Sequence, residues 1–227
     1  MARTPRRTDA TALPVVLLTG FDPFGGESLN PSWLAVSALD GEVIAGHRVV
    51  AVQLPTAFAR ATRALRGALR RHRPALVLCV GQAGGRACLS LERVAINVID
   101  ARIPDNDGAQ PVDVPCVKGA PAAYFGTLPA KAMHRALVEA GIPAEVSNTA
   151  GTFVCNHVFF VLMHALAAQA ALARGGFMHI PYLPAQAARH PGAPALGLDT
   201  VVDGLRIALR VALRIRGDRA LGAGTLH

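Results

Sequence analysis

The chain has 227 residues, of which 52% are hydrophobic and 5% aromatic. That composition excludes a disordered chain and allows one sizeable domain with a full core. Much of the excess behind the formal charge of +8 is arginine in segments 3–7, 60–73 and 206–219. They read as solvated helix faces and a basic tail, and no aromatic interleaving or nucleic-acid motif accompanies them, so nucleic acid is not an expected partner.

No apolar run approaches the ~18–20 residues of a membrane helix. The basic stretch 1–10 is followed by Pro14-Val15-Val16-Leu17-Leu18, too short for a signal-type apolar core, and a cytoplasmic location is expected. Cys79, Cys88, Cys116 and Cys155 form no CxxC pair or disulfide-framework spacing, which fits a reducing compartment.

In chain order, residues 15–19 predict a strand ending at Gly20. Asn30-Pro31-Ser32 predicts a helix start, with Asn30 at the N-cap and the helix running to about Leu39. Residues 47–54 predict a second strand. Thr56 is expected to cap a helix through Arg73, with Ala57, Ala61, Leu65 and Leu69 on one stripe. The continuous apolar run 75–80 is the mark of a strand buried on both faces of a parallel sheet. Residues 81–126 break the rhythm with strand-like pieces at 89–96 and a long polar loop around 104–108. Helices follow at 127–140, 155–174 and 199–216, with extended segments at 145–148 and 176–180. This alternation predicts one three-layer α/β/α domain with a mostly parallel central sheet at 14–217, flanked by a disordered basic tail (1–13) and a flexible C-terminal tail (218–227).

Open α/β sheets bind ligands beyond the carboxyl ends of their strands. Four unusual loops should therefore share one sheet edge: Gly20 to Gly26, Gly81 to Arg86, Thr149 to His157, and His179 to Tyr182. Neither glycine-rich turn gives GxGxxG or GxxxxGK[ST], so the glycines read as tight turns rather than a nucleotide site. Cys155 stands where an extended turn meets a helix. Amide groups and the helix dipole there favour a thiolate and predict a lowered pKa. A nucleophilic cysteine needs a base. His157 points to another helix face. The helix from Cys155 is expected to descend one sheet face and Gly175-Gly176 to turn. The next strand should then return His179 beside the cysteine. For the group that orients the imidazole, spacing leaves Glu92, Asp100, Asp105 and Asp107 open. No HExxH, CxxC or EF-hand spacing is present, so neither a metal nor a cofactor is expected.

Together the segments GFDPFGG with NPSW, VGQAGGR, ERVAIN with ARIPDN, TAGTFVCNH and HIPYLP, in that order from about Val15 to Leu213, resemble the pyroglutamyl-peptidase I family of cysteine peptidases. The resemblance implies hydrolysis of the bond after an N-terminal pyroglutamyl residue by a Cys155–His179–Glu92 triad. It implies that Arg102 and the Cys155 N–H meet the oxyanion. The pocket is implied to be formed by Phe21, Phe24, Asn30, Thr56, Gln82, Ile103, Phe153 and Val154. Relatives are often dimers or tetramers, so self-association is an expectation too. Asn148 and Ala185 stand where relatives often carry an aromatic and a Glu, which bears on subsites rather than on the reaction. The other readings are an inactive lactam- or peptide-binding protein of the same fold, a nucleic-acid-associated protein, and a phosphorylase-like enzyme that would leave Cys155 without a role.

Overall fold

The computed structural model describes residues 13–168, 173–218, 220 and 222–224. The proposed basic tail, apart from Leu13, lies outside them, as does the stretch 169–172 within the helix expected at 155–174.

A seven-stranded sheet forms the middle layer. In chain order its strands are β1 (Val15–Phe21), β2 (Val43–Ile44), β3 (His47–Leu54), β4 (Leu76–Gln82), β5 (Leu89–Glu92), β8 (Ala144–Ser147) and β9 (Arg174–Ile180). The spatial order is β2-β3-β1-β4-β9-β5-β8. Strands β3, β1, β4 and β9 are mutually parallel; β2 pairs antiparallel with β3, and β5 antiparallel with β9, while β8 runs parallel to β5. The sheet is thus mostly parallel, as expected, with its last two strands reversed. A separate antiparallel pair joins β6 (Val94–Ile96) to β7 (Ala123–Phe125).

Helices cover both faces. Helices α1 (Pro31–Ser37), α3 (Ala130–Glu139) and α6 (Leu198–Arg214) bury Val36, Met133, Leu137, Leu205 and Leu209 on one side. Helices α2 (Phe58–His72) and α4 (Val154–Ala167) bury Leu65, Val158, Phe159 and Leu162 on the other. A short α5 (Pro184–Ala187) follows β9. Strand β4, buried along its whole length, lies at the centre, as its apolar run required.

Three local expectations change. Asn30 caps α1, with Oδ1 accepting from Ser32 N at 3.0 Å and from Ser32 Oγ at 2.8 Å. Thr56 does not cap α2: its N–H donates to Asp22 Oδ1 (2.6 Å) and its hydroxyl to Asp22 O (3.0 Å). The α2 start is satisfied by Asp105, whose Oδ2 accepts from Phe58 N at 2.9 Å across 47 residues of sequence. Asp218 does the same for α3, accepting from Lys131 N and Ala132 N at 3.1 Å each, so the folded unit extends past residue 217. Gly175 and Gly176 make no turn. They lie inside β9, where a Cβ would come within 2.7 Å of Leu166 Cδ1 and 2.8 Å of Leu128 Cδ1 respectively, so their bareness lets side chains pack onto the strand.

Replacing Asp105 with Ala frees three backbone N–H donors, those of Phe58, Asp107 and Ala109. The expected loss is at least the ~1–2 kcal/mol of an N-cap, read as a lower urea midpoint at an unchanged slope. Thr56→Ala leaves the α2 cap in place and lowers the midpoint less.

Candidate active site

Register and a missing side chain bring the site together. Gly81 of β4 pairs with His179 of β9, so the two share a face. A Cβ on Gly81 would lie 2.8 Å from Cys155 Sγ and 2.8 Å from the Phe177 ring, so only glycine lets the α4 sulfur settle on the strand. Cys155 is half-buried in the first turn of α4. The first intrahelical bond there runs from His157 N to Phe153 O, and no side chain of the N-cap residue satisfies that turn. The Cys155 N–H is therefore among the helix-start donors left without an intrahelical acceptor.

His179 is buried, and its ring packs on Phe177 at 4.8 Å between centroids. Its Nδ1 donates to Glu92 Oε1 at 2.8 Å, which assigns the proton to Nδ1 and leaves Nε2 as the basic nitrogen. Of the four acids open on spacing, Glu92 alone makes this bond. Asp105 caps α2, Asp107 pairs with Arg60, and Asp100 is held through its backbone to Thr152. The Glu92 side chain has 0% exposure, and Oε1 also accepts from Arg86 NH1 at 2.7 Å. Arg86 NH2 reaches Thr149 O at 2.9 Å, in the loop leading to Cys155. Sequence reading gave Arg86 no role; the signal available was the cost of burying Glu92, which calls for a cation.

The route to the shared edge differs from the expected one. Because β8 runs against β9, its carboxyl end points away from the edge that His179 approaches. The loop 148–153 has to climb back before α4 begins. It is held on the way by Arg86 at Thr149 and by the Asp100–Thr152 bonds of 3.0 and 2.8 Å.

The thiol does not behave as a helix start alone would dictate. Burial pushes Cys155 up to about 12, the Glu92 carboxylate and Cys79 adding to the rise and Arg86 opposing it. Burial also lowers His179, against the opposing effect of its hydrogen bond to Glu92. Both shifts favour the uncharged forms, so the resting pair is thiol and neutral imidazole.

Around this centre, half-buried Phe24 and Phe153 meet at 6.4 Å, and Phe58 packs edge-on to Phe153 at 5.4 Å. Phe21 lies beneath, buried against Phe177 at 6.5 Å. Val154 and Thr56 are buried, Ile103 is 43% exposed, and Arg102 is exposed without a hydrogen bond or ion pair among the described residues. Gln82 accepts from Gln186 Nε2 at 3.0 Å. Asn30 Oδ1 caps α1 and its Nδ2 donates to Asp22 O (3.0 Å), which ties the β1–α1 turn together.

The family model described as pyroglutamyl peptidase matches residues 15–215. The chain is 60% identical over 215 residues to a pyrrolidone-carboxylate peptidase 1 of Ralstonia nicotianae, covering 95% of this chain and all of that one. Among solved structures, pyroglutamyl peptidase I from Bacillus amyloliquefaciens matches with a TM-score of 0.90 at 48% identity, over 92% of this chain and all of that one. A mutant pyrrolidone carboxyl peptidase from Pyrococcus furiosus matches with a TM-score of 0.86 at 41% identity, over 88% and 98% of the two chains. The class is that of the cysteine peptidases, here on an α/β/α sandwich. The chain belongs to the pyroglutamyl peptidase family.

His157, beside the site, is buried, with Nε2 2.7 Å from Thr62 Oγ1, and burial lowers its pKa from 6.5 to about 4. The unfolded chain therefore binds a proton below about pH 6.5 that the folded chain refuses, and stability falls as pH drops through that window. The loss reaches about 3 kcal/mol by pH 4. Urea midpoints at pH 7 and pH 4 should show it in the native chain and a smaller drop in His157→Gln.

Proposed function

We propose that this chain removes an N-terminal pyroglutamyl residue from peptides, with Cys155 as nucleophile, His179 as acid and base, and Glu92 as the carboxylate that orients the imidazole. Family membership supports the reaction. The observation that carries the residue assignment is the Glu92–His179 hydrogen bond, made on the strand position that faces Gly81, where the Cys155 sulfur rests.

The steps follow from the neutral resting pair. His179 Nε2 takes the Cys155 thiol proton as Sγ bonds to the pyroglutamyl carbonyl carbon. The tetrahedral oxyanion is met by the Cys155 N–H and by the unpaired guanidinium of Arg102, donors of a kind whose individual loss typically costs ~10²–10³ in rate. On collapse the C–N bond breaks, and His179 passes its proton to the leaving amine. His179 then deprotonates a water, which attacks the thioester, releases pyroglutamate and restores the thiol.

The pocket suits a neutral lactam, which asks for an apolar slot and a few amide hydrogen bonds rather than an anion. Phe24 and Phe153 supply a wall, with Phe21, Val154, Thr56 and Ile103 around it. The Gln82 backbone is the proposed lactam partner, and Asn30 holds the turn that carries Phe24. Substrates are peptides with N-terminal pyroglutamate. The four unpaired thiols fit a cytoplasmic setting, and a homo-oligomer is the proposed assembly.

The test is release of a fluorescent amine from a pyroglutamyl amide. The native chain should be active and blocked by a thiol alkylator, and Cys155→Ser inactive. Glu92→Gln should lower kcat by up to about 10⁴-fold, as when a carboxylate no longer fixes the imidazole tautomer. Since burial lowers His179, the acid limb of kcat/KM should lie below pH 6.5. A folded, reduced chain without activity would sink the peptidase reading in favour of a lactam-binding protein. Activity surviving Cys155→Ser would mean another nucleophile.

A further inference from the structure

We infer that Arg86 is a positioning residue for this site, binding the Glu92 carboxylate and the Thr149 carbonyl at once so that the acid of the imidazole pair and the loop bearing the nucleophile are held in one register. The inference rests on the assignment of Cys155, His179 and Glu92 made above.

The geometry is that of a fork. One guanidinium nitrogen donates to Glu92 Oε1 at 2.7 Å and the other to Thr149 O at 2.9 Å. A lysine ammonium could keep the charge, but its single point lacks the planar fork that serves two acceptors at once. Both acceptors matter. Glu92 Oε1 is the same oxygen that takes the His179 proton bond, and Oε2 is buried without a partner among the described residues, so among these residues the carboxylate is held through Oε1. Thr149 begins the segment that must climb back to α4, six residues before Cys155. Arg86 is itself held in the turn after β4, its N–H bonded to Ala83 O at 3.2 Å.

No other cation among the described residues does this. Arg93, next to Glu92 in sequence, turns the opposite way and reaches Asn148 Oδ1 at 3.4 Å. The other charged or titratable groups around the pair are few. Glu145 of β8 lies 3.8 Å from Arg86 and accepts from Ser90 Oγ, Cys88 sits in the same turn and feels both, Cys155 faces the pair from α4, and Cys79 lies below on β4. Arg86 supplies the positive charge of this set, and it opposes protonation of His179.

Two variants of the full chain decide it, Arg86→Gln and Arg86→Lys. Each is measured for turnover of a pyroglutamyl amide against pH. His179 is also followed by NMR titration in the Cys155→Ser background, which needs no turnover. Arg86→Gln should move both the acid limb and the His179 titration to higher pH. It should lower kcat about 10–100-fold with KM little changed, by analogy with the loss of outer-shell partners that orient metal-bound histidines. Arg86→Lys should leave the titration near the native position yet still lower kcat, because the Thr149 bond is lost. An unmoved His179 titration in a folded Arg86→Gln chain overturns the inference, as does native kcat in Arg86→Lys. Equal losses in both variants with no pH shift would assign Arg86 to packing and overturn it too. If Arg86→Gln does not fold, the kcat of Arg86→Lys decides. A native chain without turnover but with a titration that moves in Arg86→Gln would sink the peptidase reading while leaving the Arg86–Glu92–His179 coupling standing.

Discussion

A carboxylate with no exposure, at the end of the strand next to the sheet's edge strand, constrains everything around it. Leaving an isolated charge there would cost several kcal/mol, so its partners are obligatory. Glu92 meets this by giving one oxygen to two donors, the His179 ring and the Arg86 guanidinium. The reversed direction of β5 makes the arrangement possible. Glu92 pairs with Phe177, two residues before His179 on the same face, and its side chain reaches along β9 to the imidazole. The departure from an all-parallel sheet is thus part of the site.

The second constraint is steric. Gly81 has no side chain, and the Cys155 sulfur together with the Phe177 ring takes the space a methyl would fill. Packing removes much of the surrounding water, and that desolvation raises the thiol and lowers the imidazole. The helix start pulls the other way, but a dipole effect confined to the first turn is smaller than the burial of a charge. A thiol kept protonated at rest is not yet the attacking species. In the proposed reaction its conversion to a nucleophile depends on His179 being in place with the correct tautomer, which the bond to Glu92 fixes.

The regular elements were legible in the sequence because their signals are local. The alternation of apolar runs gave the α/β/α layers, β3 was read with the bounds it has, and Asn30-Pro31 marked the α1 start. Topology and the helix start pointed to Cys155, and the returning strand to His179. What failed was whatever depends on partners distant in sequence. Thr56 looked like the α2 cap, yet the acceptor is Asp105, 47 residues from the amide it satisfies. Gly175-Gly176 looked like a turn but thins a strand for Leu166 and Leu128. Strand direction leaves no mark in periodicity, so the reversal of β5 and β8 was invisible. The choice of Glu92 over three aspartates came from family resemblance, and the fork of Arg86 from the fold alone.

Those distant partners also explain why an irregular segment can serve as a pocket wall. Long stretches without regular structure are ordinarily mobile, but residues 97–110 are tied at several points. Asp105 caps α2, Asn106 donates to Pro23 O at 2.8 Å and to Asp22 Oδ1 at 3.2 Å, and the Asn106 N–H bonds Thr56 O at 3.0 Å. Asp100 is bonded to Thr152 from both sides. Each tie joins the segment to the β1–α1 turn, the α2 start or the loop before Cys155, the three places that carry Phe24, Thr56 and Phe153. The loop is therefore ordered by satisfying helix starts and turns rather than by burying a core of its own. Its exposed tip, Arg102-Ile103, has no side-chain hydrogen bond or ion pair among the described residues, within a frame fixed on both sides. In the proposed reaction, a guanidinium held on such a frame, with no ion pair among the described residues, offers the oxyanion a donor without having to break one first.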